Sequence, residues 1–410
     1  MPKYKTLDDF NVKNKVVLVR VDFNSEIDPN TKKVTNDVRI RAHAESTLKE
    51  LAEKGAKTVV LAHQGRKGDP DFTSLKDHAE ILQKILKCPV KYVDDLFGDK
   101  AKTAIRDLQG GEILVLENVR SWDKETKNGT PEEQSKTELV QNLAPLSDLF
   151  VNDAFAAAHR GHVSMVGFTA VLPSAAGRIM ERELKSLSKA LEKPEKPSVY
   201  VMGGAKADDS LEISKYVLGN GIADYVLTGG VTGQLFLAAR GVDLGKGNMA
   251  YLEKKELTSL IPGIKAIEHQ YGDKVMTPVD FALEVNGKRK EISINKLPTE
   301  HSIMDIGKKT VENYSIIVKG AKSIVVSGPM GVYENKEFNF GTKSVFEAIA
   351  NSKAFSLAGG GNTIAAIQEY NLTKKISYIS TAGGALIEFL MGKKLPGVTA
   401  LENAAKTKKI

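Results

Sequence analysis

The first apolar run of the chain, VVLVRVDFN, ends in three polar side chains spaced two apart, Arg20, Asp22 and Asn24. Ligands of open parallel sheets bind beyond the carboxyl ends of the strands, so this end is a candidate binding site. Asp22 or Asn24 could equally form a turn or cap the next helix. This motif alone does not separate the two interpretations.

Basic side chains follow the other apolar runs of the first half. Each alone would usually be a surface residue, but their recurrence at equivalent positions predicts a site for a strongly anionic small molecule. Arginine suits that role because its planar fork donates two hydrogen bonds to one phosphate or carboxylate. A metal pair at His159 and His162 is not favoured, since no third ligand pattern accompanies them. The basic residues are Arg39 and Arg41 in NDVRIRAH, His63 and Arg66 in AHQGR, Arg120 in ENVRS, and His159, Arg160 and His162 in NDAFAAAHRGH.

Glycine turns end the apolar runs of the second half, in MGGAK, LTGGVTG, SGPMGVYE, LAGGGNT and STAGGA. Glycine lets backbone N–H groups approach phosphate oxygens closely, and a following helix adds further donors. Lys206 follows the first of these turns. The pattern predicts a nucleotide polyphosphate site, although no P-loop, dinucleotide fingerprint or protein-kinase catalytic loop is present, and GVDLGKGN has the wrong spacing for a P-loop.

The elements that must position these groups alternate between strand and helix, which is typical of parallel sheets covered by helices. We expect helices over about 39–54, 74–86 and 131–143, and a connecting helical stretch over 177–196. Residues 282–298 predict a hairpin that turns at Asn286 and Gly287.

Length and composition agree with a two-domain globular protein. The 410 residues exceed one ordinary core, and 41% hydrophobic and 27% charged residues are normal values. No apolar window is long enough for a membrane span, the N-terminal stretch lacks a signal-peptide core, and one cysteine, Cys88, allows no internal disulfide. A reducing cytoplasm is therefore expected. The net charge of +7 comes from scattered lysines, without a dense basic arm or an aromatic RNA-binding signature.

The ordered set RVDFN, VRIRAH, AHQGR, ENVR, NDAFAAAHRGHVS, GGAK, TGG, GPMGVYE, AGGGNT and STAGGA resembles the phosphoglycerate kinase family. The resemblance runs from about residue 14 to 400, and RVDFNSEIDPNTKKVTND and ALIEFLMGKKLPGVTAL are most similar to its archaeal branch. It implies an α/β fold of two Rossmann-like domains, with parallel sheets flanked by helices, joined by a helix and facing each other across a cleft. The expected domains are 1–172, with 390–410 packing back onto it, and 173–389, with hinges near 165–180 and 380–395.

The resemblance also implies the activity: reversible in-line phosphoryl transfer between 1,3-bisphosphoglycerate and ADP, giving 3-phosphoglycerate and ATP with Mg²⁺. A monomer without nucleic-acid or membrane partners is expected. The implied substrate-binding residues are Asp22, Phe23, Asn24, Arg39, His63, Gln64, Gly65, Arg66, Arg120 and Arg160, with His159 and His162 alongside. The implied nucleotide-binding residues are Lys206, Gly229, Gly230, Glu334, Gly359, Gly360, Gly361, Asn362 and Thr363. The implied catalytic groups are Arg39, Lys206 and the backbone N–H groups of Gly383 and Gly384.

Three positions depart from the family pattern. Asn362 stands where an aspartate usually holds the magnesium, so the metal ligands of the protein stay unassigned. Ser210 replaces a second lysine, and Ala382 replaces the first of three glycines. These changes leave open a catalytically weak paralogue that acts as a sensor. An RNA-binding protein would show steeply salt-dependent binding, and an NAD-dependent dehydrogenase would need a cofactor fingerprint that the sequence lacks.

Overall fold

The computed structural model describes residues 3–407, which form two compact units. Unit 1 comprises Met1–Leu184 and Lys394–Ile410, and unit 2 comprises Lys185–Lys393. The domain limits expected from the sequence stay predictions, and their residues 1, 2 and 408–410 lie outside the described part. No helix within residues 3–407 is both long and apolar enough to cross a membrane.

Unit 1 is built on a sheet of six parallel strands in the order β3-β4-β2-β1-β5-β6. The strands are β1 (Val16–Arg20), β2 (Lys57–Leu61), β3 (Val90–Tyr92), β4 (Ile113–Val115), β5 (Leu149–Asn152) and β6 (Ser174–Ala176). Side chains on both faces of β1 are fully buried, as expected for a parallel strand covered on both sides. Val17 and Val19 join one apolar cluster and Leu18 the other, because successive side chains of a strand point to opposite faces.

The helices predicted in unit 1 are present, with two interruptions, and two more, over 99–106 and 163–166, were not predicted. Together they are α1 (Val38–His43), α2 (Lys49–Glu53), α3 (Lys76–Leu86), α4 (Asp99–Arg106), α5 (Pro131–Gln134), α6 (Glu138–Leu143), α7 (Val163–Val166) and α8 (Arg178–Leu191). A π-helical turn, Ala44–Leu48, divides the helix expected over 39–54. The helix expected over 131–143 is broken between α5 and α6. Helix α8 is the connecting helix predicted over 177–196, and its residues continue the chain into unit 2.

Unit 2 contains a parallel and an antiparallel sheet. Its strands are β7 (Ser198–Met202), β8 (Tyr225–Thr228), β9 (Val275–Met276), β10 (Asp280–Val285), β11 (Lys288–Ser293), β12 (Ile303–Ile306), β13 (Ser323–Ser327), β14 (Phe355–Gly359) and β15 (Tyr378–Ser380). The parallel sheet has the order β15-β14-β13-β7-β8-β9, and the antiparallel one β11-β10-β12. The predicted hairpin is confirmed: Asn286 and Gly287 turn between β10 and β11 with φ of 53° and 77°, the conformation of a type I′ turn.

Helices flank the parallel sheet of unit 2, and one last helix belongs to unit 1. Unit 2 contains α9 (Ala207–Gly219), α10 (Gly230–Ala239), α11 (Lys246–Lys254), α12 (Ile261–Tyr271), α13 (Lys308–Gly320), α14 (Phe340–Ala350), α15 (Gly361–Glu369) and α16 (Gly384–Leu390). Helix α17 (Pro396–Lys406) packs on unit 1, where the Gly397 N–H donates to the Ala158 carbonyl at 2.8 Å. The expected α/β fold class, two parallel sheets flanked by helices, is confirmed.

Candidate active site

The last residue of β1 is a buried arginine that forms hydrogen bonds beneath the candidate site. Arg20 is 1% exposed and donates from Nε to Ser164 Oγ at 2.8 Å and from Nη2 to His63 Nδ1 at 3.1 Å. Its Nη1 donates to the Val21 carbonyl. Arg20 therefore uses its donors inside unit 1, so of the three polar residues that close β1, this one is not a ligand group.

Asp22 and Asn24 are held by neighbouring strand ends. Arg39 at the start of α1 forms an ion pair with Asp22, and the Asn24 N–H donates to Asp22 Oδ1 at 3.1 Å. Asn24 Oδ1 accepts from the Gly65 N–H at 2.8 Å, which ties the end of β1 to the end of β2. Burial would raise the pKa of Asp22, but the charge of Arg39 and the N–H donated by Asn24 contribute to an opposite effect that outweighs it, so the pKa lies below its ordinary value.

Two histidines of this edge, His63 and His162, are neutral at pH 7. Arginine can only donate, so His63 Nδ1 accepts from Arg20 and the ring proton sits on Nε2. Burial holds the pKa of His63 well below its ordinary value. Burial and then the charge of Arg160 lower the pKa of His162 to about 3. The positive charge of the site therefore comes from its arginines, with His63 and His162 acting as neutral hydrogen-bonding groups.

The arginines that follow β4 and β5 repel one another. Arg120 is 9% exposed, and its Nη1 donates to the Gly65 carbonyl. Burial and then the like charges of Arg20 and Arg160 lower the pKa of Arg120 to about 10. An anion bound among these groups would relieve that repulsion, which makes the cluster a receptor for negative charge.

A pocket of about 450 Å³ opens on this cluster in unit 1, within the range of roughly 300–1,000 Å³ usual for small-molecule sites. It brings together Arg66, Arg120 and Arg160, which the sequence predicted to share a site, with His162. The further lining residues are Lys67, Trp122, Asp123 and Thr126. Arg39 is not among the lining residues, since it lies on Asp22 instead.

Three of the expected substrate-binding residues offer no side chain to a ligand: Phe23, Gln64 and Gly65. The side chains of Phe23 and Gln64 are fully buried, and the Gln64 amide bonds to the backbone of Ser25 and Asp71. Gly65 has φ +63°, and a Cβ there would lie 2.6 Å from the Phe72 nitrogen. None of these three can present a side chain to a ligand, so any role in substrate binding falls to the backbone at these positions.

Sequence reasoning missed Glu125, the buried counter-charge behind the arginines. Glu125 is fully buried, and it accepts from the Ser164 N–H at 3.0 Å and from Ser164 Oγ at 2.6 Å. Ser164 Oγ in turn accepts from Arg20, so the serine bridges acid and arginine. Glu125 lies in SWDKETKNG, which reads as a solvated charged turn, and no local signal distinguishes it from its exposed neighbours.

Glycine turns line one edge of the parallel sheet in unit 2. Strands β15, β14, β13, β7 and β8 are consecutive neighbours, and a glycine turn follows each of them. Parallel strands end at the same edge, so the five turns share it. The glycines are Gly203 and Gly204, Gly229 and Gly230, Gly328, Gly359 to Gly361, and Gly383 and Gly384.

Part of this glycine content serves packing of the turns on one another. The Gly230 N–H donates to the Met330 carbonyl and the Gly204 N–H to the Pro329 carbonyl, each at 2.7 Å. A Cβ on Gly203 would lie 2.2 Å from the Pro329 oxygen. Some of these glycines are therefore required because the turns contact one another, and not only because a ligand would approach the backbone.

The positions expected to bind nucleotide differ in exposure. Lys206, immediately before α9, is exposed, as are Glu334 and Asn362. Thr363 is 1% exposed and its Oγ1 accepts from the Gly328 N–H at 2.7 Å, so it joins two turns. Ser210, the departure from lysine, is 4% exposed and lies 3.5 Å from Thr232 Oγ1, so this position faces the interior of unit 2.

Two further turns present backbone donors. Gly360 has φ +93° and precedes α15, and Gly383 has φ +51° and precedes α16. The first N–H groups of a helix have no partner within it, so they are available to a ligand. Gly383 and Gly384 are both exposed. At these strand ends unit 1 thus offers guanidinium groups, whereas unit 2 offers backbone N–H groups and the exposed Lys206.

Comparisons with known proteins show the family of the chain. The profile of the family described as phosphoglycerate kinase matches residues 7–393. A phosphoglycerate kinase of Methanothermobacter thermautotrophicus is 47% identical over 402 residues, 98% of this chain and 97% of the relative. One of Pyrococcus furiosus is 46% identical over 400 residues, 97% of both chains.

Solved structures give the same result. The crystal structure of phosphoglycerate kinase from Pyrococcus horikoshii matches with a TM-score of 0.86 and 42% identity, over 98% of this chain and 99% of that one. The phosphoglycerate kinase structure from Coxiella burnetii has a TM-score of 0.86 and 32% identity, over 98% and 100% of the chains. The fold and the two sets of donors define a two-unit α/β phosphotransferase. The chain belongs to the phosphoglycerate kinase family.

Proposed function

We propose that unit 1 binds 3-phosphoglycerate or 1,3-bisphosphoglycerate and that unit 2 binds ATP or ADP. The family supplies the reaction: a phosphoryl group passes reversibly between the acyl phosphate of 1,3-bisphosphoglycerate and ADP, in glycolysis and gluconeogenesis. The observation that carries the assignment of unit 1 is the pocket of about 450 Å³ lined by Arg66, Arg120 and Arg160.

In this proposal the glycerate substrate binds along the edge that begins at Asp22 and Asn24. The carboxylate of Asp22 and the amide of Asn24 face the glycerate hydroxyl and carboxyl region. The phosphate distal to the reaction binds among Arg66, Arg120 and Arg160, where it offsets the like-charge repulsion that lowers the pKa of Arg120. His63 then donates its Nε2 proton as a neutral group.

The nucleotide binds at the glycine edge of unit 2. Gly229 and Gly230 lie beside the base, Glu334 accepts from the ribose, and Lys206 contacts the phosphates. The Gly359 to Thr363 turn supplies backbone donors to the phosphate chain. The exposure of Lys206, Glu334 and Asn362 supports this assignment.

Magnesium enters this proposal as part of the Mg-nucleotide substrate. Among residues 3–407, no group of three or more His, Cys, Asp or Glu side chains could hold a metal ion by itself. Asn362 offers one neutral amide oxygen, a weaker ligand for Mg²⁺ than a carboxylate. Nucleotide phosphates and water therefore make most of the coordination, and the ion supplies charge neutralisation on those phosphates.

Transfer itself needs no nucleophilic side chain. The carboxylate oxygen of 3-phosphoglycerate attacks the terminal phosphorus of ATP in line, its bond to that phosphorus forms as the bond to the ADP oxygen breaks, and ADP leaves. Arg39 and Lys206 neutralise the transferring group, and the N–H groups of Gly383 and Gly384 bind its equatorial oxygens. Direct transfer requires the two reactants to meet, for which we propose closure about hinges near 165–180 and 380–395. We also propose a cytoplasmic monomer.

A coupled assay with 3-phosphoglycerate and Mg-ATP tests the proposal. Turnover at ordinary kinase rates supports it and removes the sensor alternative, whereas binding of either ligand without turnover supports the sensor. Arg39→Ala should lower kcat about 100-fold or more, because it removes a positive charge from the transferring group. An unchanged rate in Arg39→Ala would refute the role of Arg39.

A further inference from the structure

His43 lies behind the glycerate site, in contact with the backbone of one of its residues. It ends α1, four residues after Arg39, and it is 4% exposed. Its Nε2 accepts from the backbone N–H of Asp22 at 3.2 Å. The same helix therefore holds Asp22 twice, at the carboxylate through Arg39 and at the main chain through His43.

The other ring nitrogen of His43 meets a buried carboxylate. Nδ1 lies 2.6 Å from Asp153 Oδ2, and Asp153 is fully buried directly after β5. A nitrogen that accepts from a backbone N–H carries no proton, so the proton of the neutral ring sits on Nδ1 and is donated to Asp153. The acid thereby fixes the tautomer that can accept from Asp22.

Asp153 is in turn fixed at its second oxygen. Oδ1 accepts from the N–H groups of Ile179 and Met180 at 2.8 and 3.3 Å, at the first turn of α8. The neighbouring N–H, that of Arg178, donates to Thr47 Oγ1 at 2.7 Å, so side chains distant in sequence cap this helix. A continuous path of hydrogen bonds runs from the Asp22 backbone through His43 and Asp153 to the start of α8.

We propose that His43 is a positioning residue for the glycerate site, which Asp153 holds in the Nδ1–H tautomer so that its Nε2 fixes the main chain at Asp22. The inference rests on the proposed function for the identity of the substrate. Rotation of the Asp22 peptide would displace both the Asp22 carboxylate and its partner Arg39. A buried N–H left without an acceptor costs free energy, so the hydrogen bond from the Asp22 N–H to His43 stabilises this orientation of the peptide.

The most direct test uses Asp153→Asn. An asparagine can keep its oxygen on the N–H groups of α8 and place its NH₂ group where Oδ2 now faces His43. His43 Nδ1 must then accept, the ring proton moves to Nε2, and two donors face each other at Asp22. We expect KM for 3-phosphoglycerate to rise about tenfold, which corresponds to ~1.4 kcal/mol, while KM for Mg-ATP stays within twofold.

Two further variants separate positioning from general destabilisation. His43→Phe keeps the ring volume but removes both contacts, so it should raise KM for 3-phosphoglycerate as Asp153→Asn does, and the double variant should be no worse than His43→Phe. Thr47→Val removes a cap from the same helix end without touching His43 or Asp22. It should lower stability and leave KM for 3-phosphoglycerate unchanged. Additive effects in the double variant, or an equal KM change in Thr47→Val, would overturn the proposal.

A measurement without turnover keeps the inference independent of the proposed function. In protein labelled with ¹⁵N-histidine, the signal of His43 is the one of seven that His43→Phe removes. We expect a protonated Nδ1 and an unprotonated Nε2 in the native chain, and the reverse in Asp153→Asn. If His43 of the native chain carries its proton on Nε2, the proposed positioning role of His43 is refuted, whatever the kinetic assay shows. A native chain that has the expected tautomer but does not turn over refutes the proposed function instead.

Discussion

Replacement of Glu125 by glutamine should weaken unit 1 without weakening substrate binding. Arg20 is 1% exposed and Glu125 fully buried, with Ser164 between them. Removal of one partner from a direct buried ion pair costs about 3–5 kcal/mol, because the other charge is left uncompensated. Arg20 and Glu125 are joined through Ser164 instead, but their charges interact. Glutamine keeps an acceptor for Ser164, and Asp22 remains near Arg20, so we expect the lower limit, about 3 kcal/mol.

The same substitution should not weaken binding of 3-phosphoglycerate, although it lowers folding stability. Glu125 is the negative charge behind Arg20 and Arg120, so its neutralisation makes the pocket more positive. KM for 3-phosphoglycerate in Glu125→Gln should therefore stay equal or fall, even though the protein is less stable. A carboxylate that stabilises the fold while weakening the anion site is a trade-off of stability against function.

One tryptophan makes the measurement specific to unit 1. Trp122 is the only tryptophan of the chain, and its ring lies 5.5 Å from that of Phe97 in the same unit. Its fluorescence during urea unfolding reports the free energy of unfolding of unit 1. Glu138→Gln is the matched control, since Glu138 is exposed, pairs with Lys124 at 2.6 Å and should change stability by less than about 0.5 kcal/mol.

Two results would refute this reasoning. A loss below about 1 kcal/mol in Glu125→Gln would mean that Glu125 is protonated in the folded chain and does not balance Arg20. A tenfold rise in KM for 3-phosphoglycerate would mean that Glu125 organises the pocket rather than opposing its charge.

Three further predictions concern pH, packing and the nucleotide. Burial lowers the pKa of His78 to about 4, so between pH 6.5 and pH 4 the His78 ring is protonated in the unfolded chain but not in the folded chain. Acidification through this window should therefore cost about 3 kcal/mol of folding stability, and His78→Phe should remove that part of the pH dependence. Urea midpoints at pH 7 and pH 4.5 measure it, and equal pH slopes in both proteins would contradict it. A Cβ on Gly341 would lie 2.3 Å from buried Asp305 Oδ1, so Gly341→Ala should cost about 1–3 kcal/mol, whereas Gly320→Ala, with open space around it, should not; equal melting temperatures in circular dichroism would count against this packing argument. Asn362→Asp should tighten Mg-ADP binding and weaken binding of metal-free ADP, because a carboxylate binds Mg²⁺ better but repels bare phosphate; titration calorimetry with and without Mg²⁺ checks both signs, and two unchanged affinities would remove Asn362 from the nucleotide site.

The alternation of elements was predictable because it depends on local patterns. Apolar runs such as VVLVR and the Asn286–Gly287 turn specify a strand and a hairpin through side-chain period and backbone preference alone. The π turn at 44–48 was not predictable, because it coincides with tertiary contacts of His43 and Thr47 to residues more than 100 positions away.

The arginines that line the candidate pocket were predictable from the sequence, but the buried residues behind them were not. Arg66, Arg120 and Arg160 follow the ends of the parallel strands β2, β4 and β5, so topology alone brings them to one edge. Glu125 and Asp153 act through burial, which depends on the folded chain and leaves no local pattern. His43 lies four residues after Arg39, a spacing that places both on one helix face and could have suggested a shared target.

The return of α17 to unit 1 has a consequence for how the chain is made. Unit 2 is one continuous stretch, 185–393, so all of it is synthesised before the last segment of unit 1. Unit 1 instead lacks Gly397, whose N–H donates to the Ala158 carbonyl, until α17 is made. The unit whose synthesis begins first is thus the last to be completed.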